Sequence, residues 1–327
     1  MQKFIIRRLL SIIPTILGVS LVVFFMIHLA PGDPVTLMVG DDATPADIAR
    51  IQAIYGFDQP LHIQYLRWFG NAIQGDFGVS IRQSRPVMSL IWERAGATVE
   101  LAFMGMFIAL LISIPLGVLS AIRRGSWIDI GAMTLALIGI SMPRFWVGLM
   151  LLIYVGLNFD FFPLFGREGS LFGGIITFFT TLNPHEFITG FRYLLLPAFA
   201  LGTAATALQT RLMRSSMLEV LQQDYVRTAK SKGLSDRVVT FKHAFRNALL
   251  PVVTIVGLQF GYLLAGAVVV ETVFSWPGVA RLIINAVSQR DFPIVQAGTL
   301  LVAISFALIN LIVDISYGFL NPKIRYD

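Results

Sequence analysis

Residues 11–30 read SIIPTILGVSLVVFFMIHLA, a run with no acidic or basic side chain apart from the ring of His28. An α-helix needs about 20 apolar residues to cross roughly 30 Å of hydrocarbon, and this run meets that requirement. Lys3, Arg7 and Arg8 precede it and APGDP follows at 30–34. A secretory leader has a shorter apolar region, about 7–15 residues, and ends at a small-residue cleavage site. Neither feature fits, so the expectation is a first membrane span that is retained.

The rest of the chain extends that reading. Of its 327 residues 56% are hydrophobic and only 13% charged, against about 25% charged in an ordinary soluble domain, and the mean hydropathy is +0.74. Further candidate spans run over 99–122, 128–157, 193–213, 249–273 and 294–320, six in all with the first. The expected fold class is therefore all-α, a polytopic membrane protein. Residues 1–30 form the amino terminus and first helix, 31–98 a small extracytoplasmic cap, and 99–327 a transmembrane domain with a loop at 214–251.

Lys and Arg beside the spans set the orientation. Lys3, Arg7, Arg8, Arg123, Arg124, the loop at 214–251 and the tail with Lys323 and Arg325 fall on one side, whereas Arg167, Arg192, Arg281 and Arg290 are sparse on the other. Both termini are expected in the cytoplasm. In the cap, Thr44-Pro45 reads as a helix start, with Ile48, Ile51 and Tyr55 on one face and Gly56 as the stop. A second cap helix starts near Pro60, with a stripe of Leu66, Phe69 and Ile73 before Gly75.

Composition also narrows the function. A net charge of +6 and a pI near 9.8 suit a nucleic-acid partner only on a basic soluble domain; none is visible, and cytoplasmic loop anchors explain the same excess. There is no cysteine, and His28, His62, His185 and His243 lack ligand spacing, so no metal site is expected. No G-x-x-x-x-G-K-[ST] phosphate loop, G-x-S-x-G or H-E-x-x-H occurs, so no catalytic residue is expected and a membrane enzyme is disfavoured. An ion-driven secondary transporter would show inverted repeats with charged midplane sites, a pattern that only Arg144 faintly suits.

Residues 224–251, DYVRTAKSKGLSDRVVTFKHAFRNALLP, are charged between two apolar runs. Leu218, Leu221, Tyr225 and Ala229 share one helical face, and Gly233 can close that helix. Ser235 can cap a second helix carrying Val238, Phe241, Phe245 and Leu249 before Pro251 returns the chain to the membrane. The residues alone leave two readings open, a helix pair lying on lipid headgroups or a surface that docks another protein.

This segment resembles the cytoplasmic loop of permease subunits of binding-protein-dependent ABC importers. The family carries Glu-Ala-Ala, three residues, Gly, and a later Ile-x-Leu-Pro; here the stretch is Arg227-Thr228-Ala229, then Gly233, then Ala248-Leu249-Leu250-Pro251, with Arg227-Thr228 replacing Glu-Ala. YVRTAKSKGL is similar to the dipeptide and oligopeptide branch. So are APGDP at 30–34, GDFGVSI at 75–81, RRGSWID at 123–129, RSSMLEVLQQDYVRTA at 214–229, RNALLPVVT at 246–254, VVVETVFSWPG at 268–278 and NPKIR at 321–325, in matching order.

The resemblance implies a type I importer permease in a bacterial inner membrane. Its coupling helix would sit in a cleft of an ABC ATPase, with Arg227, Ala229, Lys232, Gly233 and Leu234 as the expected contact. It implies a homologous second permease, one or two ATPase subunits, an extracytoplasmic substrate-binding protein and a peptide cargo, with a glutathione, nickel-chelate or sugar-oligomer cargo as the alternative. No cofactor is expected in this chain, ATP and magnesium being bound by the partner ATPases. By position in the family, Trp276 and Pro277 are candidates to face the binding protein; read from the residues, they are equally an interfacial aromatic anchor and a turn.

Intramembrane charges are costly and face a bundle interior or an aqueous cavity. Arg144, after Met142-Pro143 in the middle of the third span, is thus a candidate for the translocation pathway or for a structural pairing with Asp314 or a carbonyl. Asp314 reads as a salt-bridge or capping residue, and Glu100 as an anchor at the outer interface.

Overall fold

The computed structural model describes residues 2–29, 35 and 44–320. The motifs at 30–34 and 321–325 lie outside the described residues, as do the tail's Lys323 and Arg325 and the side chains of Lys3, Arg8, Ile51, Tyr55 and Asp314. Described residues form helices α1 (Gln2–Leu29), α2 (Pro45–Tyr55), α3 (Leu61–Ile73), α4 (Val87–Ile122), α5 (Trp127–Ser141) and α6 (Arg144–Gly156). There follow α7 (Leu171–Thr181), α8 (His185–Leu221), α9 (Asp224–Ser231), α10 (Asp236–Val273), α11 (Val279–Ser288) and α12 (Phe292–Leu320). Five of these are long and apolar enough to cross a membrane, and six spans result if the bent pair α5–α6 is one.

The chain divides into two compact units, one of Met1–Thr98 with Pro277–Leu311 and the other of Val99–Trp276 with the chain from Ile312. In the first, α2 begins at Pro45 as expected, with the Ile48 N–H donating to the Thr44 carbonyl, and Gly56 closes it at φ +67°. The stripe expected on α3 is not the face that packs. Leu66 is 65% and Ile73 71% exposed, while Tyr65 meets Phe24 of α1 edge-on and Trp68 meets it at a tilt. Polar tips decide this: Tyr65 meets Ser20 at 2.8 Å and the buried Gln64 meets His28 at 3.1 Å, partners that Leu66 and Ile73 have no use for. The unit's core gathers Val87, Leu90, Leu282, Ile294 and Leu300. The loop GDFGVSI is pinned by Asp291, which accepts from Ser80 Oγ and from the backbone N–H groups of Ile81 and Arg82.

In the second unit α4, α8 and α10 pack through small residues. A Cβ at Gly202 would lie 2.4 Å from the Gly105 carbonyl oxygen, and one at Gly117 2.6 Å from the Met213 Cβ, so α4 and α8 run parallel at backbone contact, the close approach that small residues permit between membrane helices. The span expected over 128–157 is broken rather than kinked: α5 and α6 meet at 107°. Pro143 lacks an N–H and forces Met142 into extended backbone (φ −81°, ψ 130°), ending α5 and restarting the helix at Arg144.

Two buried ion pairs mark the ends of this unit. At one, Glu100 of α4 accepts from Arg167 at 2.8 Å, Ser170 Oγ at 2.5 Å and the Phe172 N–H at 3.2 Å. At the other, Asp129 at the start of α5 takes both Arg214 donors, Nε at 2.5 Å and Nη2 at 2.8 Å, and the Gly125 N–H. The bent pair therefore carries the chain from the Asp129 end to the Arg167 end, and it acts as one crossing.

Candidate coupling loop and membrane arginine

The loop between α8 and α10 holds the residues that the sequence singles out. α8 stops at Leu221 and α9 restarts at Asp224, so the single stripe expected across Leu218, Leu221, Tyr225 and Ala229 is split. The break rotates α9: Val226 and Ala229 turn inward against Val239, Val220 and Leu221, whereas Tyr225 is 42% exposed. Its hydroxyl accepts from Asn247 Nδ2 at 2.8 Å, tying α9 to α10.

Gly233 follows Lys232 at φ +77°, with nothing within 4 Å of where a Cβ would point, and its N–H closes the helix on the Lys230 carbonyl at 2.9 Å. This is the left-handed helix stop that glycine takes at little cost. Ser235 occupies the next N-cap position, but its side chain makes no capping bond; its backbone carbonyl accepts from the Val239 N–H.

α10 then runs through a π-helical stretch, Val239–Ala244. One extra residue per turn shifts the register, which corrects the stripe expected over Val238, Phe241, Phe245 and Leu249. Val239, Ala244 and Ala248 are buried in its place, while Val238 is 38% and Phe241 54% exposed.

Of the expected contact residues, Arg227, Lys232, Gly233 and Leu234 are exposed and Ala229 is buried under them. Arg227 lies 3.8 Å from Asp224, and Lys230 lies 3.5 Å from Asp236 across the glycine turn. The structure adds Tyr225, Val238 and Phe241 to this surface. Three apolar side chains thus stand exposed beside a charged hinge.

Arg144 is the first residue of α6. Its guanidinium occupies the notch at Gly266 of α10, where a Cβ would sit 1.5 Å from Nη1. Among the described residues it has neither a carboxylate nor a hydrogen-bond partner, and the side chain of Asp314 lies outside them.

Trp276 is 1% exposed, with the Arg167 guanidinium 5.7 Å from its ring centroid. Neither an interfacial anchor nor a surface contact fits an indole so covered; its N–H-bearing backbone is also held, donating to the Glu271 carbonyl at 2.8 Å. Pro277, the next residue, is exposed. Glu100, expected as an interfacial anchor, is buried and binds the 167–172 loop to α4.

Comparison with known proteins agrees in length and in order. The family described as binding-protein-dependent transport system inner membrane component matches residues 113–326, and its N-terminal counterpart matches residues 1–102. The dipeptide transport system permease protein DppB of Escherichia coli K12 is 44% identical, covering 100% of this chain and 99% of that protein. The oligopeptide transport system permease protein AppB of Bacillus subtilis 168 is 44% identical, covering 100% of both. The glutathione transport system permease protein GsiC of Salmonella paratyphi A is 40% identical, again covering 100% of both. With both halves matched and relatives aligned end to end, the chain belongs to the inner membrane components of binding-protein-dependent transport systems.

Proposed function

We propose that the chain is one of two homologous permeases in an importer of dipeptides or oligopeptides driven by ATP. The observation that carries this reading is identity of 44% along the whole chain to permeases named for those cargoes. Glutathione, itself a small peptide-like acid, is the second reading, on 40% identity to a glutathione permease over the same length.

In this reading ATP is hydrolysed by separate ATPase subunits. The surface of Tyr225, Arg227, Lys232, Gly233, Leu234, Val238 and Phe241 sits in the ATPase cleft on the cytoplasmic side. Leverage follows from the bonding: Tyr225 to Asn247 links α9 to α10, and Val226, Ala229 and Val239 lock the hinge to the end of α8. A push on α9 therefore reaches two long helices, not one. The basic flanks Arg123, Arg124 and Lys242 support a cytoplasmic position for this end and for both chain termini. Arg144, without an ion-pair partner among the described residues, offers a transient partner for a cargo carboxylate along the route.

The test is uptake into proteoliposomes holding this chain, its partner permease and the ATPases, with the cognate binding protein and labelled dipeptide outside. ATP-dependent accumulation of dipeptide is the expected result. Accumulation without the ATPases, or of no peptide at all, would sink the reading.

A further inference from the structure

Three buried polar side chains meet where α4, α8 and α10 pack. Ser113 Oγ donates to Gln209 Oε1 at 3.2 Å, and Gln209 Nε2 donates to Gln259 Oε1 at 2.6 Å and lies 3.3 Å from the Met106 sulfur. Ser113 and Gln209 are wholly buried and Gln259 is 8% exposed. Both ends of the Gln209 amide are engaged, whereas Gln259 uses its oxygen alone and its Nε2 has no partner among the described residues. Nor is that nitrogen sealed in. Among the described residues the enclosed side-chain polar atoms without a partner are Ser120 Oγ, Arg167 Nε and Asn310 Oδ1, so Gln259 Nε2 reaches open space. Gln259 is the one amide side chain in the uncharged run 249–270 of α10. An unmet donor at such a depth is costly against lipid and belongs on a bundle interior or an aqueous cavity.

We propose that Gln259 Nε2 donates to a main-chain carbonyl of the peptide cargo, with Gln209 as the positioning residue that fixes which end of the Gln259 amide faces the route. The proposal deepens the function proposed above and rests on it. Gln259 and Gly266 are seven residues apart, two turns along one face of α10, and the Arg144 guanidinium fills the notch at Gly266. A cation for the C-terminal carboxylate and a donor for a carbonyl thus stand about 10 Å apart along the axis. Two to three extended residues cover that distance at about 3.5 Å each. The chemistry suits the cargo class, because a main-chain carbonyl is common to every peptide whatever its side chains. Orientation comes from the buried bond: with Gln209 Nε2 held on Gln259 Oε1, the Gln259 nitrogen is left pointing away from α8, and turning the amide over would set two donors against each other.

The experiment is uptake by the complete importer in proteoliposomes, its binding protein saturated either with a labelled dipeptide or with the same dipeptide carrying a thioamide, whose sulfur is the weaker hydrogen-bond acceptor. Wild type is expected to take up the amide about fivefold faster, the share of one hydrogen bond. In Gln259→Leu that preference should disappear. The Gln209→Leu, Gln259→Leu double variant should lose it too; it removes both partners of the buried bond and leaves neither unsatisfied, which keeps the test available if the single variant folds poorly. Gln209→Leu alone frees the Gln259 amide to turn and should lower the preference without abolishing it. Equal rates for the two peptides in wild type overturn the proposal, as does a wild-type preference retained in the double variant. A double variant that keeps its unfolding midpoint but no longer co-purifies with the second permease also overturns it, since the donor would then serve that contact. Absence of any ATP-dependent dipeptide uptake in wild type would strike instead at the proposed function.

Discussion

Arg167 donates to Glu100 over 2.8 Å from a loop 67 residues further along the chain. Only 3% of the Glu100 side chain is exposed, and Ser170 Oγ and the Phe172 N–H both donate to its other oxygen, Oε1. A carboxylate well inside a long apolar helix is thereby satisfied by the start of α7 and the segment that leads into it. At the far end of the unit Asp129 of α5 and Arg214 of α8 form the second buried ion pair.

Removing one member of such a pair leaves the other buried and uncompensated. Arg167→Ala is expected to cost about 3–5 kcal/mol, read as a fall in the thermal unfolding midpoint in detergent. Glu100→Gln keeps an acceptor oxygen for Ser170 and Phe172 and should cost less. Equal midpoints for Arg167→Ala and wild type would show that the pair does not hold the loop.

The contact of α4 with α8 makes a sharper claim about geometry. A methyl at Gly202 meets the Gly105 carbonyl at 2.4 Å, a backbone atom that cannot swing aside, whereas a methyl at Gly96 meets nothing within 4 Å. Gly202→Ala should therefore destabilise by about 1–3 kcal/mol through overpacking, and Gly96→Ala should leave stability unchanged or raise it slightly. Both are read by the unfolding midpoint of the purified importer; a tolerated Gly202→Ala would mean the helices are further apart than the structure has them.

Gly233 separates stability from coupling. Nothing lies within 4 Å of where its Cβ would point, so Gly233→Ala clashes with nothing, yet φ +77° costs a residue with a Cβ about 1–2 kcal/mol. The strain falls on an exposed turn. Assembly with the ATPases and ATP hydrolysis should persist while peptide uptake falls severalfold, measured as transported peptide per ATP in proteoliposomes. An unchanged ratio would remove the turn from the transmission path.

Much of this architecture is legible from composition alone. Apolar runs long enough to span, the Thr44-Pro45 start, and the glycine stops at Gly56, Gly75 and Gly233, with φ of 67°, 80° and 77°, all follow from local rules. What escapes is whatever breaks the 3.6-residue period. The π-helical stretch at Val239–Ala244 and the restart at Asp224 each rotate the next face, and a stripe counted straight through them names Phe241 as buried and misses Val239. The cap shows a second limit: hydrophobicity ranks Leu66 above Tyr65, but the polar tip of Tyr65 finds Ser20, and packing follows the pair that satisfies both needs. Trp276 shows a third, since an indole beside a predicted membrane interface reads as an anchor until its burial under Arg167 is seen.

Arg144 offers a last test in which stability and transport move apart. Its guanidinium lies against the Gly266 backbone with no carboxylate or hydrogen-bond partner among the described residues, so Arg144→Gln breaks no pair and should shift the unfolding midpoint little. A group that meets the cargo carboxylate in passing would instead affect uptake according to the cargo's charge. Uptake of a free-acid dipeptide should drop severalfold in Arg144→Gln, while that of its C-terminally amidated counterpart, slow in wild type, should change little. Gly266→Val, whose side chain would claim the space that Nη1 now fills, should reproduce the same discrimination by displacing the guanidinium. If both peptides slow equally and the midpoint falls by several degrees, the arginine is a structural member of the α6–α10 contact and the route for the cargo runs elsewhere.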